Sequence, residues 1–282
     1  MKLSLAIQTP DVPMQLPVAL LTGSLEDKLR KAAALGAEGV ELICFNPAAM
    51  DAEEIRSGLK RSRLEAAAVA SGALGFARIT LIHPDPQIRD TARTRLMDLI
   101  HFAARVEAPL VTLGGFRGRS EGDPEASFKY LGEILAEAAE AAQQEGIRLA
   151  LEPLNRYETD LIQNADQGLE FLRAVYLPAL GLLLDTYHVY IEESSWSEPF
   201  ARVMAAGKLF HVHLGDNNRL PPGKGLIDFG RILQTLQTAG YTGFLSAELL
   251  ARPDPDTAAA DTLAYMRPLL QQTRMPPQEE KP

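Results

Sequence analysis

Four side chains of metal-binding type each stand at the end of an apolar run. IRLAL (147–151) leads into Glu152, GLLL (181–184) into Asp185, LFHV into His213 and GFLSA into Glu248. Two glutamates, one aspartate and one histidine make a mixed oxygen and nitrogen donor set without thiolate. Such a set suits Mn²⁺, Mg²⁺ or Co²⁺ better than a structural zinc. Each residue also has a plainer reading. Glu152 by itself could be an ordinary loop carboxylate, and an inward histidine is often just a satisfied core residue. Asp185 is harder to dismiss, because a carboxylate directly after three leucines sits at the edge of a core, where burial without a partner is costly. His211 and His213 alternate along one strand and face the same side. Two inward histidines on one strand need a reason beyond packing.

Further polar groups flank these four. His188 follows Asp185 by three residues, Arg219 follows His213 by six, and Glu158 follows Glu152 by six. Singly they read as solvated loop residues. Beside four converging ligands they read as contacts to substrate hydroxyls. The FRGR segment adds Arg117 and Arg119, whose guanidinium forks would suit a substrate carboxylate. The plainer alternative is a surface loop paired with Glu121 and Asp123.

The elements that must bring these residues together can be read from periodicity. Apolar runs at 3–8, 39–45, 66–70, 110–113, 147–151, 181–184, 209–214 and 244–249 predict eight strands. Helical patterns separate them: from Leu25, with Ser24 as cap, and from Asp51 to Arg61. Others span about Asp85 to Val106, Asp123-Pro124 to Glu145, Ala165 to Val175, Glu198 to Ala206, Phe229 to Ala239 and Asp256 to Gln271. SGALGF (71–76) reads as a glycine loop. Strict alternation of eight strands and helices predicts a single (β/α)8 TIM barrel over residues 1–272, with functional groups at the C-terminal mouth. The tail 273–282, TRMPPQEEKP, is expected to be disordered. No G-x-G-x-x-G follows the first strand, which removes the main support for a dinucleotide fold.

Composition narrows the function. The 282 residues carry 28 Lys plus Arg against 37 Asp plus Glu, a net charge of −9, which argues against a nucleic-acid partner. The single cysteine, Cys44, excludes an intrachain disulfide framework and fits a reducing cytoplasm. No apolar stretch approaches the ~20 residues of a membrane span, and the N-terminus lacks a signal-peptide pattern. A cytoplasmic protein with a small-molecule partner and no membrane contact is expected.

The segments LALEPLNRYETD, LLLDTYHVYIEE, HVHLGDNNRLPPGKGLIDF and SAELL together resemble the xylose-isomerase-like sugar epimerases, in particular ketose 3-epimerases of the D-tagatose and D-psicose type and 5-keto-L-gluconate epimerase. The likeness runs from the first strand to the last helix and is strongest over 147–250. The resemblance implies a single divalent cation, Mn²⁺ foremost with Co²⁺ or Mg²⁺ as alternatives, held by Glu152, Asp185, His213 and Glu248. Within the family the metal histidine is the one six residues before the arginine of the HLxDxNR segment, which selects His213 over His211. Glu152 and Glu248 would also be the paired acid and base, and Glu158, His188 and Arg219 the substrate contacts. A homo-oligomer would fit the family as well. The HP-x-x-x-IR segment (83–89) and the FRGR loop look more like the 5-keto-L-gluconate enzyme. One departure is that Leu226 follows Gly223-Lys224-Gly225 where close relatives carry a histidine. With Leu226-Ile227-Asp228 in place of an Asp-x-His pair, the three-zinc DNA repair nucleases of the same superfamily do not fit.

The expected reaction is inversion at C3 of a keto-hexonate through a cis-enediolate. One carboxylate takes the proton and the other returns one on the far side, while the cation stabilises the developing charge. The alternatives are a neutral ketose 3-epimerase, a sugar isomerase, an inosose-type dehydratase using the same enediolate, and a catalytically dead barrel.

Overall fold

Short runs of Leu, Val, Ile and Ala bury both faces only where helices cover one side and a closed interior the other. The computed structural model, which describes residues 1–120 and 122–274, solves this with a closed barrel of parallel strands in chain order. The strands are β1 (Lys2–Gln8), β2 (Gly39–Ile43), β3 (Glu65–Ala70), β4 (Leu110–Leu113), β5 (Arg148–Leu151), β6 (Leu180–Asp185), β7 (Leu209–Leu214) and β8 (Phe244–Ala247). β1 pairs with both β2 and β8 and closes the ring.

The helices begin where the caps predict. α1 (Leu25–Ala34) starts at a capping box in which Ser24 accepts from Asp27 N and the Asp27 carboxylate accepts from Ser24 N. α2 (Ala52–Ser62) starts at Asp51, which accepts from Glu53 N and Glu54 N. α3 (Gly72–Phe76) is a single short turn of helix where a glycine loop was expected. Gly75 allows its close approach, since a Cβ there would lie 2.9 Å from Gly115 C. α4 (Pro86–Arg105) and α5 (Pro124–Gln144) carry proline in their first turns behind Asp85 and Asp123 caps. α6 (Ala165–Val175), α7 (Thr186–Glu192), α8 (Glu198–Ala205), α9 (Phe229–Thr238) and α10 (Pro255–Arg274) complete the outer layer. α7 is not evident from periodicity, because it springs directly from the strand-end Asp185, whose carboxylate caps it by accepting from Tyr187 N at 2.8 Å. α10 continues past Gln271 through Thr273 and Arg274, which were expected to lie in a disordered tail; the rest of that tail, residues 275–282, lies outside the described residues.

Most of the apolar core lies between sheet and helices. Inside the barrel, Ala68, Leu110, Ala150 and Leu183 form a small apolar cluster. Ala150 and Leu183 each stand two residues before a strand-end carboxylate, so this layer is the floor beneath Glu152 and Asp185. The interior is more polar than the strand pattern suggests: Ser4, Glu41, Thr112, His211 and Ser246 are all buried. Among the described residues no helix is long and apolar enough to cross a membrane.

Candidate metal centre at the barrel mouth

Parallel register places the four strand-end residues side by side. Asp185 pairs in register with His213, and His213 with Ser246, two residues short of Glu248. One donor atom from each of Glu152, Asp185, His213 and Glu248 lies within 4.8 Å of the others. His213 Nδ1 is 3.4 Å from Glu248 Oε2 and 3.7 Å from Glu152 Oε1. Asp185 is fully buried, and Glu152, His213 and Glu248 are nearly so.

The chemistry of this set suits a cation. Glu152 Oε1, Asp185 Oδ2 and His213 Nδ1 are buried atoms with no hydrogen-bond partner. Folded proteins rarely leave buried polar groups unpaired, so three such atoms facing one point fit a metal ion. Electrostatics agree for the protein without a cation. Burial raises the Glu152 carboxyl well above its usual range, and neighbouring Glu248 and Asp185 add to the rise. Burial likewise pushes Asp185 up to about 6. Burial would raise Glu248 too, but His213 and Arg219 hold it low. Three crowded carboxylates cannot all ionise easily unless positive charge joins them.

Glu152 is seated against a glycine. A Cβ on Gly114, just after β4, would stand 2.4 Å from Glu152 Oε2, so only glycine leaves room for the carboxylate at this point.

The expected substrate contacts gather above the four donor residues. His188, on α7, turns Nε2 toward Glu152 Oε1 (3.7 Å) and Asp185 Oδ2 (4.0 Å). Its Nδ1 accepts from Asn155 Nδ2 at 2.8 Å and faces Asn155 N at 3.4 Å. Two donors on Nδ1 leave the proton on Nε2, aimed into the site. Burial, and then the charges of Arg219 and Arg117, keep this imidazole neutral by lowering its pKa well below the ordinary value. Asn155 Nδ2 also reaches Glu158 Oε1 at 3.2 Å. Arg219 Nη1 donates to the same Glu158 Oε1 at 2.8 Å, and Nη2 lies 3.8 Å from Glu248 Oε2. Arg219 has φ +60, a conformation uncommon outside glycine. It is held there by Arg219 N donating to Asp216 O and Leu250 N donating to Arg219 O, both at 2.7 Å. Asp216, fully buried, accepts from the backbone N–H groups of Asn217, Gly223, Gly225 and Ile227 and so shapes the whole loop.

The FRGR arginines separate. Arg117 is completely buried, and its guanidinium donates to the carbonyls of Glu152, Leu161 and Ile162. This corrects the expectation of a carboxylate contact, because Arg117 has no exposed atom with which to meet one; it buttresses the loop that carries Glu152. Arg119 is exposed, with Nη1 donating to Tyr157 O at 3.3 Å.

Two residues next to the site were not singled out by the sequence patterns. Asn155 bridges His188 and Glu158. Glu41, fully buried in the middle of β2, contacts both His211 and His213. A glutamate inside the apolar run GVELI was the available signal.

The chain matches the family model described as "Xylose isomerase-like TIM barrel" over residues 29–269. It is 28% identical over 219 residues to a ketose 3-epimerase from Arthrobacter globiformis, covering 76% of this chain and 74% of the relative. It is 32% identical over 184 residues to a D-psicose 3-epimerase from Ruminiclostridium cellulolyticum, covering 62% and 61%. A 3-dehydro-D-guloside 4-epimerase from Escherichia coli is 31% identical over 140 residues, 49% of this chain and 53% of the relative. These relatives are epimerases, enzymes of the isomerase class. Among solved structures, a D-psicose 3-epimerase from Clostridium cellulolyticum H10 with D-tagatose superposes with a TM-score of 0.79 at 23% identity, covering 96% of this chain and 99% of that one. An L-ribulose 3-epimerase superposes with a TM-score of 0.78 at 23% identity over 99% of both chains. The chain belongs to the family of xylose isomerase-like TIM barrels.

Proposed function

We propose that this protein is a metal-dependent sugar epimerase that inverts C3 of a ketose. The observation that carries the reading is the convergence of Glu152 Oε1, Asp185 Oδ2 and His213 Nδ1, buried and without hydrogen-bond partners, beside Glu248. Glu152, Asp185, His213 and Glu248 would hold a divalent cation, Mn²⁺ in preference to Co²⁺ or Mg²⁺. When bound, that ion supplies Lewis-acid stabilisation of the negative charge that develops on the sugar oxygens.

The chain's own residues do the rest. Glu152 and Glu248 follow β5 and β8, separate parts of the ring, and a carboxylate has a second oxygen with which to exchange a proton with C3. One removes the proton to form the cis-enediolate and the other protonates the opposite side. His188 offers Nε2–H to a substrate oxygen. Arg219 and Glu158, fixed on each other, offer a donor and an acceptor to sugar hydroxyls. The polar rim and the net charge of −9 suit a small sugar rather than a macromolecule.

Because Arg117 is sequestered, a neutral ketose of the psicose, tagatose or ribulose type comes first. Of the FRGR arginines, the exposed Arg119 is the one left to support the keto-hexonate reading. The decisive experiment is incubation of the Mn²⁺-supplemented protein with neutral ketoses and 5-keto-L-gluconate in deuterated water. Deuterium at C3 of an epimerised product, with no loss of water, is expected. A product lighter by one water would make the protein a dehydratase, and exchange at C1 with carbonyl migration an isomerase.

A further inference from the structure

We propose that Glu41 is a positioning residue that selects which nitrogen of His213 faces the metal; this rests on the metal-dependent reading above. Glu41 stands in the middle of β2, beside a register shift between Val40 and Glu41 in the β2–β3 pairing. Both of its oxygens lie 3.1 Å from His213 Nε2, and Oε2 lies 2.9 Å from His211 Nε2. Thr112 Oγ1 donates to Oε1 at 3.1 Å. Three donors from β4 and β7 thus converge on one carboxylate that is fully shielded from solvent. An ionised carboxylate only accepts, so each imidazole must carry its hydrogen on Nε2.

The consequence falls on His213. With Nε2–H held by Glu41, its lone pair is on Nδ1, the atom that has no partner and lies beside Glu152 and Glu248. His211 stands two residues earlier on β7, one layer deeper. Its Nε2 also points at Glu41, so it anchors the carboxylate from behind and does not join the ligand set. The rings of His211 and His213 meet edge to face at 5.3 Å, which keeps both planes fixed. A carboxylate behind a metal-facing imidazole both sets its orientation and strengthens it as a donor. The pair of histidines on one strand thereby has two separate tasks.

The test uses Mn²⁺ titrated into the metal-free full-length protein, followed by calorimetry. Glu41→Leu is expected to weaken Mn²⁺ binding about 10- to 100-fold. A merely structural role would lower the melting temperature and leave the Mn²⁺ affinity of the folded fraction unchanged; that result overturns the proposal. Should Glu41→Leu not fold, the tautomer is read in the wild-type protein loaded with diamagnetic Mg²⁺, from long-range proton–nitrogen correlations of the imidazoles. Hydrogen on Nε2 of His213 is expected, and hydrogen on Nδ1 overturns the proposal. Wild-type protein that takes up no divalent metal would remove the functional reading and this one together. Wild-type binding with an unaltered Glu41→Leu affinity would remove this one only.

Discussion

Arg219 Nη1 and Glu158 Oε1 meet at 2.8 Å across the barrel mouth and tie the loop after β7 to the loop after β5. The Arg219 side chain is only 17% exposed and that of Glu158 35%, with the guanidinium face 5.0 Å from the centre of the Tyr187 ring. It closes a chain of contacts from Arg219 through Glu158 and Asn155 to His188. Replacing Glu158 by Gln removes one charge and keeps the shape. A rise in KM of about tenfold or more is expected, with little change in melting temperature, because a hydrogen bond to a charged group contributes roughly 1.5–3 kcal/mol. Steady-state kinetics with the substrate found by the deuterium screen checks it.

Gly114 tests how tightly Glu152 is seated. A methyl group there would collide with Glu152 Oε2. Gly114→Ala should push the carboxylate out of line and lower kcat by about 100-fold, since a displacement of roughly 1 Å at a reacting group can cost that much. Circular dichroism melts should show that the barrel persists. Unchanged kcat would mean that Glu152 does not act from this position.

Metal removal separates ligation from proton transfer. Chelation of the wild-type protein should lower its melting temperature, and Mn²⁺ should restore it; saturation at 100 times Kd corresponds to about 2.7 kcal/mol. Asp185→Asn should lose this response, because Asp185 would be a metal ligand with no part in proton transfer. Glu152→Gln and Glu248→Gln should each reduce turnover about 10²–10⁴-fold even where metal is retained, as removal of an acid or base does. Bound Mn²⁺ is read by elemental analysis and turnover by deuterium incorporation.

The two arginines of the FRGR segment should behave oppositely. Arg117→Met removes three hydrogen bonds to the carbonyls of Glu152, Leu161 and Ile162, and it should destabilise the fold markedly whatever the substrate. Arg119→Ala should leave the melting temperature unchanged. It should raise KM for a keto-acid and spare a neutral ketose. Equal effects of Arg119→Ala on both substrates would dismiss the carboxylate role.

Asp160 gives a pH dependence. Its carboxylate accepts from Ser120 N at 2.9 Å and from Ser120 Oγ at 2.5 Å, joining the FRGR loop to the loop after β5. Partial burial would raise its pKa, but the Ser120 hydrogen bonds outweigh this and lower it. A carboxylate whose folded pKa is depressed adds stability that is present above its unfolded pKa of about 3.9 and is lost as pH falls through the folded value. Asp160→Asn should therefore flatten the fall in melting temperature below about pH 4 and lower it at neutral pH. Thermal melts across acid pH check the slope.

Strand ends, caps and alternation are local properties, and they were legible. IRLAL before Glu152, three leucines before Asp185 and the His-Val-His alternation identified side chains at strand mouths, because period and chain direction alone decide which way a strand-end residue faces. Barrel closure followed from counting units. α7 was not legible, since it is short and begins on a residue that also ends a strand. Only the tertiary structure decided the partners of charged groups whose contacts are remote in sequence. Glu41 reads as an oddity in an apolar strand until the closed barrel sets it against histidines 170 and 172 residues away. Arg117 reads as a surface arginine until carbonyls 35 to 45 residues away fold over it. Local sequence settles backbone direction and burial preference; which buried charge meets which donor depends on register around the ring, and register is a property of the assembled sheet.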